Sequence, residues 1–350
     1  MTTVPFLDVA GAARWAARRG PERVIADLTD AMERDFARWA ELDKRPRIAS
    51  HSADGVIELM PAADAETYGF KFVNGHPANP ARGFQTVTAV GMLARVDNGY
   101  PSFLAEMTLL TGLRTAAASA LAARYLARRD SRVMAMIGAG SQAEFQALGM
   151  RAELGIETLR VFDVDPAASA KLARHAKELG FDVVIAADPG EAARGADVVT
   201  TCTADKRNAV VLTDRQVRES CRPGVFLNAI GGDCPGKTEL EPATVARASV
   251  FVEHTEQTRI EGEIQKQAPD FPVTELWEVV TGARPGRRSG DELVVWDSVG
   301  FGVEDWTTLK FVAADVAASA PELLQHLDLI AEPSDPKDLF SLVAARGDAA

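Results

Sequence analysis

The sequence predicts an α/β protein: a Rossmann-type parallel-sheet domain joined to an α+β domain with an antiparallel sheet. Three observations predict it. From residue 133 to residue 297 strands alternate with helices, the order of βαβ units around a parallel sheet. A glycine motif, Gly138-Ala139-Gly140-Ser141-Gln142-Ala143, stands between the first of these strands and its helix. Before it, the hydrophobic period changes from helical to alternating, and two apolar runs are joined by Asp97-Asn98-Gly99, a strong hairpin turn.

The elements follow in order. Residues 6–43 read as helix, with Val24, Ile25, Leu28, Met32 and Phe36 at helical spacing. Residues 56–60 and 69–73 read as strands, the second with Lys71 on the face opposite Phe70 and Phe72. The apolar runs 84–96 and 101–107 flank the Asn-Gly turn. Residues 110–129, rich in Ala, Leu and Arg and free of Pro, predict a long helix. Strands are then expected at 133–137, 158–162, 183–186, 197–201, 225–230, 249–253 and 293–297, with helices at 141–154, 166–179 and 189–195. From about residue 303 the tail reads helical and is expected to pack back on the first domain.

A chain of 350 residues exceeds one average domain, and 47% hydrophobic with 25% charged residues is ordinary globular composition. The formal net charge of −12, with no basic tract, argues against nucleic acid and anionic lipid as partners. No run of about 18 uncharged apolar residues is present, so no membrane span is expected. The start of the chain lacks a basic stretch followed by an apolar run, so no signal peptide is read. Three cysteines without CxxC spacing speak against a disulfide framework or a zinc site and fit a reducing cytoplasm. The five scattered histidines show no HxH or HxxxH spacing, and no metal is expected.

The glycine motif has the form G-x-G-x-x-A. Gly138 makes the tight turn, Gly140 lets backbone approach a pyrophosphate, and Ala143 lets the helix sit close to the strand. Ser141 and Gln142 open that helix, whose unpaired N–H groups favour phosphate. Asp163 ends the next strand, about 20 residues on. A carboxylate there accepts from the adenosine ribose hydroxyls and repels a 2′-phosphate, which favours NAD over NADP; the bland alternative is that it caps the turn Asp163-Val164-Asp165-Pro166. Thr201 and Thr203 lie at another strand's carboxyl end, where their hydroxyls either meet the cofactor or serve the turn.

A second apolar strand ends in Gly231-Gly232-Asp233. It ends on the same edge as the glycine loop, so Asp233 is expected to face the nicotinamide. There a carboxylate takes a proton from a substrate ammonium or stabilises a cationic imine; the alternative is a solvated turn. Glu58, Lys71 and Arg114 are charged residues in apolar or strand settings. Two or three cations at one pocket would clamp a substrate carboxylate, although each alone is more commonly an ordinary ion pair.

These residues resemble the ornithine cyclodeaminase/μ-crystallin family over nearly the whole chain. The most specific stretches are Arg47-Ile48-Ala49-Ser50-His51-Ser52, Gly55 through Pro61, Lys71-Phe72-Val73-Asn74-Gly75-His76-Pro77 and Leu113-Arg114-Thr115-Ala116-Ala117. Gly231 through Leu240, Gln257 through Glu263 and Asp297-Ser298-Val299-Gly300-Phe301 complete the match. The resemblance implies tightly held NAD and the release of ammonia from L-ornithine to give L-proline. It implies a homodimer whose N-terminal substrate domains pack their sheets across the axis. It places the substrate-binding and dimerisation domain at 1–115 and 315–350 and the NAD domain at 116–314. By the same resemblance Arg47, Lys71 and Arg114 bind the α-carboxylate, Glu58 holds the amine end or orients the cations, and Asp233 handles the side-chain amine. Asp163 and Val299 are expected at the cofactor. A lysine or diaminobutyrate cyclase, an imine reductase or amino-acid dehydrogenase of the same fold, and a non-catalytic binding protein stay open as alternatives. The loop 281–292 receives no role.

Overall fold

The structure, a computed structural model, describes residues 2–204 and 210–344. Met1, 205–209 and 345–350 lie outside the described residues, and with them the end of the C-terminal piece expected in the substrate domain.

Two sheets organise the chain. The first contains β1 (Val4–Leu7), β2 (Asp43–Lys44), β3 (Ile48–His51), β4 (Val56–Ala63), β5 (Thr67–Gly75), β6 (Ala89–Arg95) and β7 (Pro101–Glu106). The second contains β8 (Val133–Ile137), β9 (Thr158–Phe162), β10 (Asp182–Ile185), β11 (Val198–Thr201), β12 (Phe226–Ala229), β13 (Ser249–Val252), β14 (Thr274–Glu275) and β15 (Val294–Asp297). A last strand, β16 (Gln325–Leu327), returns to the first sheet. The first sheet runs β16-β1-β7-β6-β5-β4-β2, with β3 also on β4. It is antiparallel except where β1 pairs β7, so it is mixed rather than purely antiparallel. The second runs β10-β9-β8-β11-β12-β15-β13-β14, parallel throughout, as expected.

Residues 6–43 are not one helix. β1 takes Leu7, and Asp8 caps the helix Val9–Arg19 by accepting from the Gly11 N–H at 2.7 Å. Gly20 ends that helix at φ 80°, and Pro21, whose missing N–H costs nothing in a first turn, opens Pro21–Ala37. The run 84–96 pairs only from Ala89, the residues before it being a loop after the short turn Asn79–Arg82. The long tail helix ends at Ser319; a short turn of helix at Pro321–Leu323, β16 and a last short helix, Ser341–Ala344, follow.

Two helices fix the geometry of the site. Thr108–Leu126 is buried nearly all round and touches the helices Pro21–Ala37 and Ala143–Leu154 as well as β12 and β15. Gly302–Ser319 lies on β4, β5 and β6 and carries the fully buried Trp306, Leu309, Val312 and Val316. Along β4 and β5 the usual alternation is inverted. Glu58 and Lys71 point to the buried face, while Ile57 (44% exposed), Leu59 and Phe72 point outward. Burying polar groups on an inner face and exposing apolar ones on the outer is costly unless both faces have partners.

Candidate active site

Chain order reverses between β8 and β11, the switch point at which open parallel sheets bind ligands. The glycine loop follows β8 there. Gly138 takes φ 101°, and a Cβ on it would lie 2.8 Å from the Cys202 carbonyl oxygen, so both backbone and neighbour demand glycine. Above Gly140 nothing lies within 4 Å of an added Cβ. The helix begins at Ala143, two residues later than the sequence suggests, which leaves Ser141 exposed in the loop. The Gln142 side-chain oxygen is buried without a hydrogen-bond partner.

Asp163 caps its turn, as the alternative reading had it, and also reaches the glycine loop. Its Oδ2 accepts from the Ala139 N–H at 2.7 Å and its Oδ1 from the Asp165 N–H at 2.9 Å. The carboxylate therefore ties the glycine loop to the end of β9 while capping the following turn. Open space over Gly140, an orphaned polar oxygen at the helix start and a carboxylate at the next strand tip are what a dinucleotide requires. The residues present fit that group.

Thr201 is buried at the tip of β11. The Thr203 N–H and hydroxyl both donate to Glu239 Oε1, at 2.7 and 2.5 Å, and the Thr203 carbonyl accepts from Lys237 Nζ at 2.5 Å. Thr203 is thus held by turn chemistry. Glu239, fully buried and raised in pKa by that burial, underlies Gly231, where a Cβ would overlap its carboxylate. No expectation covered Glu239; it lies on an irregular stretch with no spacing to mark it.

The three expected cations do come together. Lys71 (1% exposed) gives Nζ to Asp305 Oδ1 at 2.8 Å, and Arg114 gives Nε to the same oxygen at 2.9 Å and Nη1 to Glu304 at 2.9 Å. Burial first, then Arg114, lowers the Lys71 ammonium to about 8 against the pull of Asp305, with Arg47 lowering it further. Arg47 donates Nη1 to Glu58 at 3.1 Å and Nη2 to the carbonyls of Val299 and Gly300 at 2.5 and 2.7 Å. Val299, after β15 and three strands along the sheet from β8, is therefore placed with the cations, through its carbonyl. Its turn is braced by buried Glu253, which accepts from Ser298 Oγ and from the Gly300 N–H.

Asp233 follows the tip of β12 with its side chain 56% exposed, 3.3 Å from Lys237 Nζ. It is near enough to Arg47 and Glu261 for its charge to act on both. Glu261, at the end of the helix Thr255–Glu261, has Oε2 3.1 Å from Arg47 Nε. Burial raises it to about 7, with Arg47 opposing and Glu58 and Asp233 reinforcing the rise. Glu304 is raised to about 8 by burial and then by the charge of Glu253. Glu304, Asp305 and Glu261 escaped the sequence reading because their partners are far away in the chain. Asp305, for instance, meets a lysine 234 residues earlier. Among the described residues no group of three or more His, Cys, Asp or Glu side chains has metal-site geometry, and no helix is long and apolar enough to cross a membrane.

Against known proteins, the model of the ornithine cyclodeaminase/mu-crystallin family matches residues 13–320. The chain is similar to an ornithine cyclodeaminase of Agrobacterium fabrum, 50% identical over 346 residues, which cover 99% of this chain and 96% of that protein. Its fold is similar to a lysine cyclodeaminase solved for its recognition of L-lysine, L-ornithine and L-2,4-diaminobutyric acid, with a TM-score of 0.89, 31% identity and coverage of 96% and 98%. An archaeal alanine dehydrogenase dimer with bound NAD superposes with a TM-score of 0.84 at 28% identity, covering 94% of this chain and all of that one.

Proposed function

The chain belongs to the ornithine cyclodeaminase/μ-crystallin family, and from that membership we propose that it converts L-ornithine into L-proline and ammonia on bound NAD. The observation that carries this reading is the buried grouping of Arg47, Lys71 and Arg114 with acidic side chains, beside a strand tip bearing Asp233.

Gly138, Gly140, Ser141, Gln142 and Ala143 would hold the pyrophosphate and Asp163 the adenosine ribose, with Thr201, Thr203 and Val299 at the strand ends on the nicotinamide side, Thr203 through its turn and Val299 through the carbonyl it gives Arg47. NAD, held there, would supply a reversible hydride acceptor and donor for the substrate carbon Cα. The protein's share is orientation and proton handling. Lys71 keeps two ammonium donors and Arg114 keeps Nη2 beyond their bonds to Asp305 and Glu304. These donors receive the α-carboxylate, and Arg47 adds its charge from alongside. Orientation of this kind is worth roughly 7–11 kcal/mol of barrier. Glu58 holds Arg47 by accepting from Nη1 with both oxygens, at 3.3 and 3.1 Å, and so sets the amine end of the pocket. Asp233, half exposed beside Lys237, takes a proton from the δ-ammonium, since only the free amine is a nucleophile.

The outward apolar face of β4, β5 and β6, with Ile57, Leu59, Phe72 and Val90 exposed, supports a homodimer closed across the first sheet. The first sheet then serves substrate and dimer and the second holds NAD; the boundary expected between 314 and 315 falls inside the helix Gly302–Ser319, which lies on the first sheet. An odd number of cysteines without CxxC spacing is consistent with a cytoplasmic location. The test is an assay of ammonia and proline from L-ornithine with trace NAD, run beside L-lysine. Turnover of ornithine above lysine supports the reading; no ammonia from ornithine removes it.

A further inference from the structure

Glu261 stands apart from the other acids of the pocket. Glu58 spends both oxygens on Arg47, Glu304 and Asp305 are bound to Arg114 and Lys71, and Asp233 is half exposed beside Lys237. The Glu261 side chain is only 5% exposed, and among the described residues its carboxylate pairs with Arg47, Oε2 lying 3.1 Å from Nε. That pair is not aligned as a hydrogen bond: both Glu261 Oε2 and Arg47 Nε are buried without one. A buried carboxylate without a donor costs free energy unless something else supplies one.

The helix that carries it is held at the site independently. Gln257 accepts from the Arg47 backbone N–H at 3.0 Å and donates to the Gly300 carbonyl at 2.8 Å. Glu261 is thus delivered to the same spot as the cations whether or not its own carboxylate pairs well. At this end of the pocket three carboxyl groups, Glu58, Glu261 and Asp233, meet two cations, Arg47 and Lys237, whereas Lys71 and Arg114 meet Asp305 and Glu304, two and two. A monoamino acid has one ammonium to offer; a diamino acid has two.

We propose that Glu261 is the acceptor for the substrate's second ammonium and makes the pocket select diamino over monoamino acids. The inference rests on the diamino-acid reading above and adds a residue to it. Glu261 lies inside and Asp233 at the mouth, so the ammonium is held by the first and deprotonated toward the second. The carboxylate raised to about 7 is suited to that place, because an arriving cation offsets the cost of its burial.

The test measures binding to protein loaded with reduced nicotinamide, which cannot accept hydride, so no turnover intervenes. L-Ornithine and L-norvaline, the same skeleton without the δ-amine, are titrated calorimetrically into wild type and Glu261→Gln. The expected result is a loss of ornithine affinity of about tenfold or more, the loss of one charged hydrogen bond, at unchanged norvaline affinity. Equal losses for both ligands would show that Glu261 only positions Arg47, and no change for either would remove it from the site; both overturn the proposal. If Glu261→Gln does not melt cooperatively, Glu261→Asp keeps the charge one methylene back. It is expected to weaken ornithine alone, by a smaller factor, and equal loss again overturns the proposal. Failure of the wild type to turn over ornithine would strike the function reading separately.

Discussion

Gly300 presses its backbone against Arg114 so closely that a Cβ at 300 would lie 2.7 Å from Nη1 and 2.9 Å from Nη2. The glycine also sits at φ 75° and offers its carbonyl to both Arg47 and Gln257. Gly300→Ala is therefore expected to displace the guanidinium and to raise the KM for ornithine about tenfold or more, with NAD affinity within about twofold of wild type. Steady-state kinetics with a parallel NAD titration checks this. An unchanged KM would show that Arg114 does not meet the substrate.

Asp233 is half exposed and its ion pair is with buried Lys237, which also donates to the Thr203 carbonyl; asparagine keeps an acceptor oxygen there, so the substitution is expected to spare the fold. Asp233→Asn should lower kcat by roughly 10²–10⁴-fold while melting and NAD binding stay as in wild type. Near-normal kcat in that variant would assign the proton transfer elsewhere.

Asp163 joins the glycine loop to β9 through the Ala139 N–H and caps its own turn. Asp163→Ala should weaken NAD binding and shrink the preference for NAD over NADP, both read from paired titrations. If NAD weakens and the ratio of the two affinities is unchanged, the carboxylate serves the loop alone.

The carboxylate clamp has a pH dependence of definite sign. Lys71, lowered to about 8, carries its charge below that pH and loses it above. Glu304, raised to about 8, gains negative charge over the same range. Both changes disfavour an anion, so the affinity for pentanoate, which has a carboxylate and no amine, should fall as pH rises from about 7 to about 9. A flat or rising affinity would place the clamp on other residues.

The parallel sheet and the glycine loop were legible in the sequence because each rests on local order; the three cations were named together through the family resemblance, Arg47 by that alone. Strand and helix alternate within a few residues, and Gly138, Gly140 and Ala143 occupy fixed offsets. The break at Gly20-Pro21 was hidden by apolar residues that keep helical spacing across it, and β1 and β16 are too short to show a period. Lys71 was placed opposite Phe70 and Phe72, yet which face is inside depends on Asp305, more than two hundred residues away. Glu239, Glu261 and Glu304 follow the same logic: burial and partners from distant elements define them, and although Glu239 and Glu261 lie in stretches that carry the family resemblance, no spacing marks their roles.

The central claim is that the substrate carbon is oxidised and reduced in one cycle. It is tested by following ammonia, proline and reduced nicotinamide together when excess L-ornithine meets protein with a trace of NAD. The account predicts many equivalents of ammonia and proline per NAD, formed in equal amounts, with no net accumulation of NADH. NADH rising in step with ammonia, and no proline, would contradict it.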